Sequence, residues 1–160
     1  MKKSSKAIAD QFREVYLSGT WIANTNLRSE IQNTTWELAT KQVGSLNTIA
    51  ALAFHLNYYV GGIIKVYESG VLDIKDKYSF DMQHINSAED WDELKSKFWS
   101  NAERLAELIE ELSDDKIFAP FLQEKYGSNY RNLTGMIEHA YYHLGQIVMI
   151  KKILKEQPRP

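Results

Sequence analysis

The apolar residues of this 160-residue chain repeat with the 3.6-residue period of a helix, and this spacing limits the folds open to it to helical ones. Four long stretches carry this pattern. They predict helices over about 5–17, 45–68, 87–112 and 129–155, with a shorter and more polar helical piece over 26–39. Eight glycines and three prolines are too few for the many turns of an all-β domain.

These stretches predict an all-α fold, a four-helix bundle that forms a single domain over residues 1–160. Extra segments lie between helices 1 and 2 and between helices 2 and 3. The helices run either up-down-up-down or with one long crossover. Segment 70–86 has no clear helical period, and its length is typical of a loop with a role.

Composition limits the classes of partner. The net charge of −2 provides no broad basic field, so we expect no nucleic-acid binding. No window of eighteen apolar residues lacks charges, so we expect no membrane span. The chain has no cysteine, which excludes a disulfide scaffold, a cysteine-ligated zinc site and a cysteine nucleophile. The basic first residues are not followed by an apolar signal region, so we expect a cytoplasmic protein. As its partner we expect a small-molecule substrate.

Three of the four histidines fall where one metal ion could join them. His139 and His143 are four residues apart, so they lie one turn apart on the same side of the fourth helix. His55 lies at the edge of the apolar stripe of the second helix. An isolated pair at this spacing is weak evidence, but three imidazoles against an apolar core need polar partners, which a metal supplies. We expect His84, in the irregular segment, at the surface.

Four further residues are candidates for a pocket beside these histidines. Tyr59 follows His55 by one turn on the same side of the second helix. Gln146 and Asn132 share the histidine face of the fourth helix, and Trp21, in the first inter-helix segment, could wall the pocket. Core or cap packing is the alternative for each of them. The sequence assigns no catalytic residue.

Two runs resemble the DinB-like (YfiT-like) family: Gly44 to Leu56, which includes His55, and Glu138 to Ile147, which includes His139 and His143. The three histidines and the Leu-Gly-Gln that follows the last one are the discriminating part. The resemblance covers nearly the whole chain, because helix order and the long gap between His55 and the pair also agree. It implies a four-helix bundle that binds a divalent ion, zinc or nickel, through these three histidines.

The resemblance also implies a range of activities. Characterised branches of the family include transferases that use low-molecular-weight thiols and a thiol-dependent isomerase. Some isomerase members replace one histidine by glutamate and carry an added C-terminal domain. This chain has histidine at all three positions and ends about a dozen residues after Gln146, which disfavours the isomerase.

We therefore expect a metal-dependent enzyme that transfers a low-molecular-weight thiol cosubstrate to an electrophile. A non-catalytic metal- or ligand-binding stress protein and a metal-dependent hydrolase are the alternatives. Shared fold does not fix the reaction.

Trp99 bears on assembly. It lies off the apolar stripe of the third helix, so its large ring is expected to be exposed. We predict a homodimer with Trp99 at or near its interface. The alternative is that segment 70–86 covers the ring.

Overall fold

The computed structural model describes residues 4–156, and this part of the chain is all-helical, without a strand. Residues 1–3 and 157–160, which the predicted domain includes, lie outside the described residues. The α-helices are α1 (Ser4–Arg13), α2 (Leu27–Gln32), α3 (Trp36–Ala39), α4 (Ile49–Ser69), α5 (Ala88–Glu111), α6 (Asp114–Phe118) and α7 (Asn129–Glu156). A π-helical turn over Glu14–Ser18 extends α1, and short 3-10 turns lie at Asp76–Tyr78 and Glu124–Tyr126.

Capping side chains set the helix starts. The Ser87 side chain accepts a hydrogen bond from the amide of Asp90, which confirms the predicted start of α5. Thr48 caps α4 in the same way by accepting from the amide of Ala51. Helix α4 therefore begins later than predicted, and Leu46, which we placed on its buried stripe, is 46% exposed.

The polar piece predicted over 26–39 is two helices rather than one. Asn26 caps α2 through the amide of Ser29. The extended backbone of Thr35 then ends any continuous helix, and its side chain caps α3 through the amide of Leu38. Side chains that bond nearby amides favour such breaks over an uninterrupted helix.

The four long helices contact one another in a closed cycle. Helix α1 contacts α5 and α7, and α4 also contacts α5 and α7. The main-chain amide of Ser4 bonds the Asp114 carboxylate just past the end of α5, so α1 and α5 run antiparallel. The hydroxyl of Tyr67, near the end of α4, bonds Asn129 at the start of α7, so these two helices are also antiparallel. Their apolar faces form one continuous buried core.

The crossover from Gly70 to Ser87 runs back along α4. Successive crossover residues contact successively earlier helix residues: Asp73 with Lys65, Ile74 with Gly62, Lys75 with Tyr58, and Ser79 with His55. The chain thus returns to the beginning of α4 before α5 starts, and α4 and α5 run parallel. The long-crossover arrangement is the one present, and the up-down-up-down alternative is wrong.

The expected exposure of Trp99 is wrong. Its side chain is only 8% exposed, because α2 covers it. The indole Nε1 donates to Oε1 of Gln32 at 2.8 Å, and the guanidinium of Arg28 lies 5.3 Å from the ring centroid. Both of these covering groups belong to α2 rather than to segment 70–86, which was the alternative cover. A homodimer stays a prediction, but the burial of Trp99 removes the exposed ring on which that prediction was based.

Helix α4 is the most apolar of the described helices. By length and composition alone it could cross a membrane, but 61% of its eighteen-residue apolar window is buried within the fold. Core packing therefore accounts for its apolarity.

Candidate metal centre

Helices α4 and α7 bring the three predicted histidines together. The Nε2 atom of His139 lies 3.2 Å from Nε2 of His55 and 2.8 Å from Nε2 of His143. One ligand atom from each ring lies within 4.8 Å of the others. His55 and His143 are buried and His139 is half-buried. The three rings are close enough to hold one metal ion.

Hydrogen bonds on the outer side of two rings set which nitrogen faces the centre. Nδ1 of His55 lies 3.3 Å from the main-chain carbonyl of Ser79, and Nδ1 of His143 lies 2.6 Å from Oε1 of Gln146. A carbonyl oxygen only accepts, so each Nδ1 carries the proton and donates it. In the neutral rings Nε2 then presents a lone pair to the centre. Metal-binding histidines are commonly oriented by such bonds.

The donor set fits a divalent ion. Nε2 of His55 and Nε2 of His143 both present lone pairs towards Nε2 of His139. These nitrogens repel one another unless His139 carries a proton on its Nε2 or a cation lies among the three atoms. Tetrahedral zinc with bonds of about 2.0–2.1 Å separates two ligand nitrogens by about 3.3 Å. The His55–His139 separation is already close to this value, and the His139–His143 pair has to open by about 0.5 Å.

Burial favours the neutral form of all three imidazoles, which is the form that binds metal. Burial lowers the pKa of His139 to about 4, with the neighbouring charges of His143 and His55 acting in the same direction. Burial also lowers the pKa of His55, aided by His143. Burial lowers the pKa of His143, although its bond to Gln146 opposes the shift.

The crossover covers one side of the three histidines. The ring of Phe80 stacks on His55 with centroids 4.1 Å apart and planes 12° from parallel. Tyr59, on α4, meets His55 and His139 edge-on, at 5.1 and 5.7 Å between centroids. Its hydroxyl donates to Oδ1 of Asp76 in the crossover at 2.9 Å. Helix and crossover are thus joined beside the site.

A cavity of about 580 Å³ opens beside His55 and His139, and we call it the histidine cavity. Most of its wall is apolar or aromatic. The other residues that line it are Tyr16, Tyr59, Ile63, Leu72, Ile74, Asp76, Phe121, Tyr126, Arg131, Asn132, Gly135 and Met136. A small organic molecule fits this volume next to two of the three rings.

The candidate pocket residues differ in where they lie. Tyr59 and Asn132 line the histidine cavity, although Asn132 also donates to the main-chain carbonyls of Tyr126 and Ser128. Gln146 instead orients His143 and borders a second cavity of about 550 Å³. Trp21 is 86% exposed and does not line the histidine cavity, so its expected place in the wall is wrong.

One predicted residue lies away from the site, and four residues that were not predicted lie at it. His84 is exposed, as expected. Sequence reasoning missed Asp76, Ser79, Phe80 and Arg131. The length of segment 70–86 pointed to a role for the first three, but no motif within it indicated which residues face a histidine.

Comparison with protein-family models gives no match for this chain, and neither curated proteins nor solved structures match it. The DinB-like resemblance therefore stays a prediction made from the residues themselves.

Proposed function

We propose that this protein is a metal-dependent enzyme of the DinB-like kind, a four-helix bundle that binds zinc or nickel through His55, His139 and His143. The observation that carries the proposal is the convergence of three imidazole nitrogens beside a cavity. Their neutral state and the outward bonds of His55 and His143 support it.

The ligand count favours a catalytic over a structural ion. Among residues 4–156, no carboxylate belongs to this ligand group, and the chain has no cysteine. Structural zinc sites are closed by four protein ligands, whereas catalytic sites keep a position free for water or substrate. A bound divalent ion would act here as a Lewis acid that makes a thiol or water nucleophilic near neutral pH.

Thiol transfer to an electrophile is the reaction we favour. Because the chain has no cysteine, a reacting thiol has to come from a small cosubstrate. The histidine cavity is large enough for small organic reactants, and its largely apolar wall suits their apolar parts. Metal-assisted hydrolysis and non-catalytic ligand binding use the same cavity, and the experiment below separates them.

Asp76 is the candidate proton acceptor. It contributes a carboxylate to the wall of the histidine cavity, and Tyr59 holds one of its oxygens. The other oxygen is free to accept a proton from a substrate thiol or water. Asp76, His55 and His139 all line the histidine cavity.

The test combines metal analysis with a thiol screen. Untagged protein loaded with zinc or nickel is assayed with small thiols against 1-chloro-2,4-dinitrobenzene, and separately with ester substrates without thiol. We expect thiol-dependent turnover that His143→Ala abolishes and exposed His84→Ala retains. Turnover of esters alone would favour the hydrolase. Bound metal without either activity would favour a binding protein, and failure to bind metal would overturn the proposal.

A further inference from the structure

We propose that Arg131 binds the carboxylate of a small monocarboxylate substrate that has an apolar or aromatic body. The inference rests on the proposed function in one respect, since it takes the histidine cavity as the substrate site. It assigns the class of molecule that this cavity accepts.

Arg131 is placed to reach towards the histidines along one face of α7. Arg131, Gly135 and His139 follow one another at intervals of four residues, so they share a stripe of the helix. A Cβ atom at Gly135 would lie 3.4 Å from Nη1 and 3.8 Å from Cζ of Arg131. The guanidinium therefore lies over Gly135, about one turn, or 6 Å along the axis, from His139.

The two charged residues of the histidine cavity would orient a charged ligand within it. Arg131 and Asp76 are the charged residues in its described wall. Asp76 is held by Tyr59 on the α4 side, whereas Arg131 extends from α7. An anionic group is repelled by Asp76 and attracted by Arg131. One guanidinium facing one carboxylate suits a monoanion better than a doubly charged phosphate, and its two donor edges match a carboxylate.

The present partner of Arg131 does not block this role. Nη1 donates to Oε2 of Glu138 at 2.9 Å, and both side chains are 64% exposed. Exposed pairs of this kind are weak, so a substrate carboxylate can take the place of Glu138 or share the guanidinium with it.

The wall between Arg131 and the histidines suits an apolar body. Ile63, Leu72, Phe121 and Met136 line the histidine cavity together with the rings of Tyr16 and Tyr126. A molecule whose carboxylate lies at Arg131 therefore places its apolar part against these side chains and its far end near His55 and His139.

The test uses 3-phenylpropanoate and its neutral amide, 3-phenylpropanamide, as probes. Each is titrated into the ¹⁵N-labelled full chain, with and without zinc, while the arginine Nε–Hε and histidine ring signals are followed by NMR. We expect the carboxylate to bind about five-fold more tightly than the amide and to shift the signals of both Arg131 and His139. Arg131→Gln should remove this preference while leaving amide binding unchanged.

Two matched variants control for charge. Arg104→Gln removes another exposed, ion-paired arginine, on α5, and should keep the preference for the carboxylate. Glu138→Gln removes the competing anion and should strengthen carboxylate binding. Equal affinity for the two probes, no binding of either, or a preference that survives Arg131→Gln would overturn the inference.

Zinc content measured on the same samples separates this inference from the proposed function. The protein could bind no zinc and still prefer the carboxylate in a way that depends on Arg131. This result would contradict the proposed metal enzyme and support the carboxylate site. Bound zinc without a preference for the carboxylate would support the metal centre and contradict the carboxylate site.

Discussion

Ile74 packs directly on Gly62, at a point where a Cβ atom would lie 2.5 Å from Cγ2 of the isoleucine. This contact brings the crossover against α4. Ser79 and Phe80, a few residues further on, bond and stack on His55. The absence of a side chain at one helix position therefore helps to place a histidine of the candidate metal centre.

Gly62→Ala should loosen the crossover. Ile74 is β-branched and stiff at χ1, so it has to move, and we expect a loss of about 1–3 kcal/mol in the free energy of unfolding together with weaker metal binding. Gly61→Ala is the matched control. Its Cβ would lie 3.6 Å from Nδ2 of Asn101, an ordinary contact, and alanine favours helix. Urea unfolding of both variants measures the difference, and equal stabilities would contradict this role for Gly62.

Gln146→Leu should weaken the metal site without unfolding the chain. The substitution removes the acceptor that fixes the tautomer and orientation of His143. Loss of such a partner lowers metal affinity by about 10- to 100-fold. Zinc competition with a chelator measures the change, and exposed Gln11→Leu on α1 is the control. A zinc affinity unchanged by Gln146→Leu would show that the bond does not orient a ligand.

Low pH should destabilise the metal-free protein. Histidines have a pKa of about 6.5 when unfolded, and burial lowers the folded pKa of His139 to about 4. The unfolded chain therefore binds more protons between these values, so stability falls as pH drops from about 6.5 to 4. Since His139 is partly exposed, we expect this residue to contribute about 1–2 kcal/mol of that loss.

Thermal unfolding of metal-free protein across this pH range checks the sign. His139→Gln should flatten the profile, because glutamine does not titrate. In the presence of zinc, protons also compete with the metal, so metal affinity should fall steeply below about pH 6. A melting temperature that is the same at about pH 5 and pH 7.5 would contradict the prediction.

The predicted homodimer no longer involves Trp99. Trp99→Ala should cost about 3–5 kcal/mol of stability, because a buried ring packed under α2 is lost. It should leave the oligomeric state of the folded protein unchanged. Sedimentation at micromolar concentration measures the oligomeric state of both the variant and the parent protein. A parent that is monomeric would contradict the homodimer, and a dimer lost only in Trp99→Ala would contradict the burial of this ring.

The sequence predicted the elements whose signal is local. Apolar spacing located the four long helices, and the Ser87 cap fixed one boundary, because both depend on residues a few positions apart. The convergence of His55 with His139 and His143 followed from helical faces and from the family resemblance. The predicted exposure of Trp99 was wrong because a helical wheel shows which side of its helix a residue faces. It does not show whether another element, here α2, covers that side.

The residues around the histidines could not be predicted for a related reason. Ser79, Phe80 and Asp76 lie in an irregular crossover, where no period relates sequence position to direction. Their contacts depend on how the crossover runs back along α4, which Gly62 and Tyr58 help to determine. Arg131 was missed because its reach depends on the open space over Gly135.

The metal content and metal coordination of untagged protein decide whether the three-histidine centre exists. After exposure to zinc and desalting, we predict one ion per chain, and X-ray absorption should show three imidazole nitrogens at about 2.0–2.1 Å. His143→Ala should abolish binding while the helical fold remains, and His84→Ala should bind as the parent does. A parent chain that retains no metal, or an ion retained in His143→Ala, would contradict the three-histidine centre and the enzyme built on it.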